Sequence, residues 1–319
     1  MKWLITAAIV AAMLLSAMVG KVTLDPAQML TPGTTAFTIL TQLRLPRVLL
    51  AFFSGGILAL SGLLFQTLFR NPLTTPFTLG ISSGATLGAA TAIMLGLENG
   101  VAGFSFVTLL GFVGALGTVA MIYLFSRKLP STGDQRLILV GIALSFLYSA
   151  LLMLIYYLSD FQESYRIMRF TMGTLLTVGY GDILPVFLAA LLILWVAQRH
   201  IEALKRFAIS DSFAFLHGVE VERVTIILFV VISIGVGVLV SITGTIGFVG
   251  LIIPHIVRMV LKSAIERTIL PVFVTGGLFL LLCDTISRIL PTASEMPVGV
   301  VTSLIGGVVF VWILIGGKR

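Results

Sequence analysis

The sequence consists largely of uncharged apolar runs, each about as long as a helix that crosses a lipid bilayer. The clearest extends from Val48 to Phe69 without a charged residue, which meets the roughly 20 helical residues that a hydrocarbon core requires. A soluble domain carries ~25% charged residues, whereas here the share is 10% and hydrophobic residues make up 58%. We therefore expect an all-α polytopic membrane protein, with residues 1–319 forming a single transmembrane domain.

Ten membrane spans are predicted from the uncharged stretches. The first run also has the charge and apolar core of a signal peptide, with cleavage near Ser16 to Gly20 as the alternative. Because the run is long enough to cross the bilayer, we interpret it as the first helix. The predicted spans are 3–20, 48–69, 79–97, 101–126, 137–158, 183–198, 224–242, 245–261, 268–287 and 297–316.

The basic residues indicate how the spans are oriented. If the N-terminus lies inside, most of the 20 Lys and Arg residues fall on the cytoplasmic side, as the positive-inside rule requires. Both termini are then cytoplasmic. The net charge of +7 is spread over single residues and pairs, which does not make the basic patch of a nucleic-acid-binding protein.

Several kinds of chemistry have no support in the sequence. No G-x-x-x-x-G-K-[ST] motif occurs, so the chain has no P-loop for a nucleotide and any ATP use requires a partner. None of the three histidines has a second ligand at metal-binding spacing, and no Ser, His and acid set can be assembled on one side of the membrane. The single cysteine lies in an apolar run and is interpreted as packing. We expect no enzyme activity, metal site or cofactor.

One short motif offers a different function. Residues 177–182 read TVGYGD, which matches the selectivity filter of potassium channels, where backbone carbonyls replace the water shell of the ion. The segment precedes a predicted span, as a filter would. A potassium-channel-like pore is therefore the alternative to be tested, and a glycine-rich loop is the plain interpretation.

The connections between spans contain two predicted short helices and one ion pair. Residues 159–182 could form a short re-entrant helix. Inside the charged loop 199–223, Ser210 is a helix N-cap signal and Gly218 a helix stop, which predicts a helix over residues 211–217. Asp284 and Arg288 are four residues apart and so share a helix face. We interpret them as a structural ion pair near the outer interface, with a proton relay as the alternative.

Small residues recur every fourth position in two neighbouring spans. Gly80, Gly84 and Gly88 do so in the third span, and the second span has a similar series at Ala51, Gly55 and Ala59. Small residues at this spacing let helix backbones approach one another closely in a membrane. Both spans are therefore expected to pack tightly against neighbours.

Long motifs in a fixed order resemble the FecCD-type permeases, the membrane subunits of ABC importers for iron-siderophores, haem, vitamin B12 and similar chelates. The resemblance covers nearly the whole chain. The motifs are RLPR at 44–47, RNPL at 70–73, LGISSGATLG at 79–88, GTIGFVGLIIPHIVR at 244–258 and EMPVGVVTSLIGGVVFVW at 295–312. Two departures are His217, where the family usually has an apolar residue, and Thr245, where it often has proline.

The resemblance implies a type II importer fold of about ten helices in the inner membrane of a bacterium. It implies four kinds of partner: two ABC ATPase subunits, a periplasmic or lipoprotein substrate-binding protein, a second permease copy or paralogue, and the lipid bilayer. It also implies roles for residues at matching positions. These are a cytoplasmic gate at Asn71, Pro72 and Leu73, ATPase coupling at Ser210, Asp211, Ala214 and Gly218, and binding-protein docking at Arg44, Arg47 and Arg288.

Overall fold

The computed structural model describes residues 2–20, 22, 25–29, 31–97, 100–101, 104–126, 135–290 and 295–316. Most of them are helical, with one two-stranded antiparallel hairpin of β1 (Gly100–Val101) and β2 (Phe104–Ser105). A π-helical segment at Ile39–Arg44 leads into α4. The α-helices are α1 Lys2–Met18, α2 Pro26–Met29, α3 Thr35–Thr38, α4 Leu45–Leu68, α5 Ile81–Met94, α6 Phe106–Ser126, α7 Gln135–Leu158, α8 Phe161–Thr171, α9 Ile183–Arg199, α10 Ile201–Phe207, α11 Asp211–Leu216, α12 Val221–Thr243, α13 Val249–Leu261, α14 Ile265–Ile289 and α15 Val298–Gly316.

Each predicted span corresponds to a helix, which makes the fold an all-α polytopic membrane protein. Among the described residues, five helical segments are long and apolar enough to cross a bilayer alone, and α9 with α10 makes a sixth that bends by 68°. The remaining predicted spans correspond to the shorter apolar helices α1, α5, α13 and α15.

The basic residues used for the orientation include Lys21, Arg127, Lys128, Lys318 and Arg319, which lie outside the described residues.

The structure moves two predicted boundaries for clear reasons. The second span begins earlier than residue 48, because the helix is continuous from Thr35 to Leu68 and takes in Arg44 and Arg47. The third begins later than residue 79, because a turn precedes it and Gly80, in the left-handed region at φ 78°, sits at the helix N-cap. The length of an uncharged run reveals neither boundary. The second span begins with buried charged residues, and the start of the third is set by a turn.

The predicted close packing of small residues is confirmed. A Cβ atom at Gly55 would lie 2.2 Å from the carbonyl oxygen of Gly276 in α14, and one at Gly88 would lie 2.0 Å from that of Leu110 in α6. Neither position has room for a side chain. As a result α4 is buried among α9, α13 and α14, while α5 packs along α6.

Contacts between charged residues define the two ends of the helix bundle. Arg47, at the start of α4, meets Asp284 near the end of α14, so these two helices run antiparallel. Lys205 of α10 pairs with Glu266 at the start of α14. We call this second end, which also carries α11 and the turn after α4, the α11 end.

Candidate functional site

A cavity of about 720 Å³ opens between α4, α5, α13 and α15. None of the described residues that line it is ionisable, and its polar groups are hydroxyls and backbone atoms. Such a lining offers shape and a few hydrogen bonds but no fixed counter-charge to a passing ligand. The lining residues are Leu58, Leu73, Thr75, Pro76, Phe77, Thr78, Ser82, Thr171, Met172, Thr245, Ile246, Gly247, Phe248, Gly250, Leu251, Gly299, Val300, Ser303 and Leu304.

One wall of the cavity is the glycine-rich turn between α12 and α13. Gly244 has φ 70°, a conformation that favours glycine, and a Cβ there would lie 2.0 Å from the carbonyl oxygen of Phe170. The Thr245 hydroxyl donates a hydrogen bond to the carbonyl oxygen of Thr171. Proline has no group that could make this bond. The threonine that departs from the family pattern therefore ties the turn to the end of α8.

The predicted gate residues form the turn that follows α4. The side-chain oxygen of Asn71 accepts a hydrogen bond of 2.9 Å from the backbone N–H of Leu73, which closes a local turn of the kind asparagine favours. Leu73 is half exposed and lines the cavity. Asn71 and Pro72 are not among the lining residues, so the three predicted residues divide into two that shape the turn and one that faces the cavity.

The predicted short helix in the charged loop is confirmed as α11. The Ser210 hydroxyl caps it by accepting a hydrogen bond of 3.0 Å from the Phe213 N–H, and Gly218 follows its end at φ 77°. Ala214 is fully buried beneath the helix. Ser210 and Gly218, both predicted for coupling, thus begin and end α11. Ala214 packs it against its neighbours and has no exposed surface for a partner.

The exposed apolar face of α11 consists of residues that the sequence analysis missed. Phe215 is 71% and Leu216 79% exposed, and Ile209 just before the helix is 62% exposed. Two large apolar side chains on this short helix and one just before it are thus exposed in a charged loop, as is common at interaction surfaces. The run FAFL inside a charged loop was the signal available in the sequence.

Guanidinium groups hold both ends of α11. Arg70, two residues past the end of α4, makes a two-pronged ion pair with Asp211, with Nη1–Oδ1 at 2.5 Å and Nη2–Oδ2 at 2.8 Å. At the other end, Arg206 of α10 donates a hydrogen bond of 2.8 Å to the carbonyl oxygen of His217. Helix α11 is therefore attached to the turn after α4 and to α10.

The three arginines predicted to dock a binding protein are buried in this structure. Arg47 binds Asp284 and Glu295, and Arg288 lies 3.0 Å from Asp284, which confirms the predicted Asp284–Arg288 ion pair. Arg44 donates hydrogen bonds to backbone carbonyls at the end of α1, including those of residues 17 and 18. Their guanidinium groups have internal partners, through which these arginines tie α1, α4 and α14 together. Their role in docking a binding protein stays a prediction.

The TVGYGD segment is a loop held by contacts within the chain. The Thr177 hydroxyl donates a hydrogen bond of 2.9 Å to Asp182, and the backbone N–H of Gly179 donates one of 2.8 Å to the carbonyl oxygen of Gln42. Val178 is largely exposed. A selectivity filter needs successive carbonyls directed at a shared axis, and these contacts give the potassium-channel alternative no support.

Comparison with known proteins gives one family. Residues 8–316 match the sequence profile of the FecCD transport family. The chain is 37% identical over 284 residues to the hemin transport system permease protein HmuU of Yersinia pestis, which covers 86% of this chain and 82% of that protein. It is 34% identical over 327 residues to the vitamin B12 import system permease protein BtuC of Salmonella paratyphi A, with 100% and 96% covered.

A solved structure supports the same relationship. The fold resembles that of a metal-chelate type ABC transporter in an inward-facing conformation with a TM-score of 0.84 and 30% sequence identity. The match covers 97% of this chain and 96% of the other. The likeness therefore extends over the whole arrangement of helices and is not confined to a shared motif.

Proposed function

Because this chain belongs to the FecCD transport family, we propose that it is the permease subunit of an ATP-driven importer for iron-siderophores or a related chelate such as haem or vitamin B12. The substrate class follows the names of its relatives, a hemin and a vitamin B12 permease. The cavity is in keeping with a bulky chelate, since it combines large apolar walls with scattered hydroxyls. Substrate choice then lies mainly with a separate binding protein.

The observation that carries this proposal is the position of α11 beside the cavity turn. Its exposed Phe215 and Leu216 face away from the bundle, while its first residue is bonded to Arg70 at the turn that ends in Leu73. Apolar side chains on a helix that fits a groove are a common mode of docking. Two separate ATPase subunits would bind this face, and the permease itself would catalyse no reaction.

Transport then works by alternating access. Closure of the ATPase dimer moves α11, and the turn at Asn71–Leu73 opens or closes the cavity at the α11 end. A second permease copy or a paralogue supplies the facing half of the path, and the whole chain acts as one transmembrane domain. The α11 end and both termini lie in the cytoplasm, and the protein resides in the inner membrane of a bacterium. A substrate-binding protein docks at the opposite end, where Arg44, Arg47 and Arg288 are the residues predicted to take part.

The docking face is tested by coexpressing the permease with the P-loop ATPase encoded nearest to it and measuring their affinity after purification. We expect the wild-type proteins to copurify. Leu216→Asp should weaken the complex on the order of tenfold or more, because a charge would enter the apolar centre of the interface.

Phe161→Asp is the matched control, since Phe161 is 86% exposed but lies on α8. It should leave the affinity for the ATPase unchanged. The proposal fails if the wild-type permease does not associate with the ATPase. It also fails if Leu216→Asp binds as tightly as the wild type.

A further inference from the structure

The turn after α4 meets α11 through an ion pair between Arg70 and Asp211, which are 141 positions apart in sequence. Arg70 follows the helix end of α4 in the left-handed region, with φ 46°, and directly precedes Asn71. Asp211 is the first residue of α11. No residue of either loop lies between the paired side chains, so the bond connects the two elements directly.

We propose that the Arg70–Asp211 ion pair is the link that transmits movement of α11 to the turn at residues 71–73. This inference rests on the proposed function and adds the positioning residue that couples its two parts. The route runs from the exposed face of α11 through Asp211 to Arg70, and from there along the backbone to Leu73 at the cavity. Only the Arg70–Asp211 step is non-covalent.

The geometry suits a mechanical link. Two parallel N–H to oxygen bonds fix orientation as well as distance, so α11 cannot rotate or shift without moving the Arg70 side chain. Asp211 lies in the first turn of its helix, where a negative charge is favoured by the exposed N–H groups.

The exposure of the pair distinguishes it from a bond that only stabilises the fold. The side chains of Arg70 and Asp211 are 34% and 32% exposed, so solvent screening limits what even a two-pronged pair contributes to global stability. Apart from this bond, α11 packs mainly against α10 and α12. Breaking the pair should therefore leave α11 folded and packed against its neighbours, but movement of α11 should no longer be transmitted to the turn.

The experiment follows Leu73 directly and needs no knowledge of the substrate. Leu73→Cys is introduced with Cys283→Ala, which removes the chain's one native cysteine. The complex with its ATPase is placed in nanodiscs, and the rate at which a membrane-impermeant maleimide labels the new thiol is measured with and without a non-hydrolysable ATP analogue. With the ion pair intact, the analogue should change the rate on the order of tenfold, as is typical of coupled sites.

Arg70→Gln and Asp211→Asn should each abolish the nucleotide response without weakening ATPase binding. The double variant should lose no more than either single one, because both remove the same interaction. Arg70→Lys, which keeps the charge but not the two-pronged bond, should give an intermediate response. Lys205→Gln is the control: it breaks ion pairs of similar exposure on the same face and should leave the response intact.

The outcomes separate this inference from the function on which it depends. If the ATP analogue does not change the labelling rate at residue 73 when Arg70 and Asp211 are both intact, the proposed gate is wrong and the proposed link is wrong with it. If it responds and Arg70→Gln or Asp211→Asn responds equally, the link alone is refuted. A loss of response in Lys205→Gln would also refute it, since any ion pair on that face would then serve.

Discussion

Removing the carboxylate of Asp284 should destabilise this protein more than any other single change to an ion pair described above. The Asp284 side chain is 0% exposed and lies between two arginines that are themselves nearly buried. Arg47 Nε donates to its Oδ1 at 2.8 Å, and Arg288 Nε lies 3.0 Å from its Oδ2. In Asp284→Asn the shape of the side chain is kept but its negative charge is lost. Less negative charge then remains to balance the two buried guanidinium groups.

The magnitude follows from the partners that remain. Breaking a buried pair by removing one member costs ~3–5 kcal/mol. Arg47 keeps its contact with Glu295 at 2.6 Å, and Arg288 keeps its hydrogen bond to the carbonyl oxygen of Val19 at 2.7 Å. We therefore expect the lower value, about 3 kcal/mol. At ~2 °C per kcal/mol for a chain of this size, Tm should fall by roughly 6 °C.

The assay is thermal unfolding of the purified permease in detergent micelles. Glu295→Gln is the matched control, because Glu295 binds the same Arg47 but is 32% exposed, and an exposed pair contributes ~0–1 kcal/mol. Asp284→Asn combined with Arg288→Met should cost less than the sum of the two single changes, since the pair of substitutions restores charge balance. If Asp284→Asn and Glu295→Gln lower Tm equally, burial does not set the strength of this cluster and the reasoning is wrong.

Two further predictions concern helix packing and capping. Gly62→Ala should cost ~1–3 kcal/mol, because its Cβ would lie 1.9 Å from a backbone oxygen of α13. Gly117→Ala is the control and should not lower Tm, because its Cβ would meet no atom within 4 Å. Equal shifts in Tm for the two variants would refute the packing argument. Ser210→Ala removes the N-cap of α11 at a cost of about 1 kcal/mol, and amide hydrogen exchange in that helix should become faster. Ser212→Ala, within the same helix but not at its cap, should leave the exchange rates as they are, and a similar acceleration in both variants would contradict the capping role.

Local spacing was enough to predict the helical elements and their nearest contacts. The uncharged runs predicted the helices that cross the membrane, because burial of apolar side chains and backbone in lipid depends on a stretch of neighbouring residues. The capped helix at residues 211–217 and the Asp284–Arg288 pair were predicted for the same reason. Each depends on residues no more than a few positions apart, whose relative placement in a helix is set by its pitch.

Burial could not be predicted in the same way. RLPR at 44–47 looks like a surface motif, yet α1 and α14 supply carbonyls and a carboxylate that enclose Arg44 and Arg47. Ala214 has the small size of an interface residue, but the neighbouring elements cover it completely. Which face of a helix is covered depends on which distant helices pack there, and one sequence does not contain that information in any local pattern.

The sequence alone therefore determined that this is a many-helix membrane protein with a turn after its second span and a short capped helix in its charged loop. Only the tertiary structure brought those two features together through Arg70 and Asp211, placed Leu73 at the cavity and exposed Phe215 and Leu216. The physical reason is the range of the interactions. Helix formation and capping act over one or two turns of chain, whereas the cavity and the ion pair exist only where segments far apart in sequence meet in space.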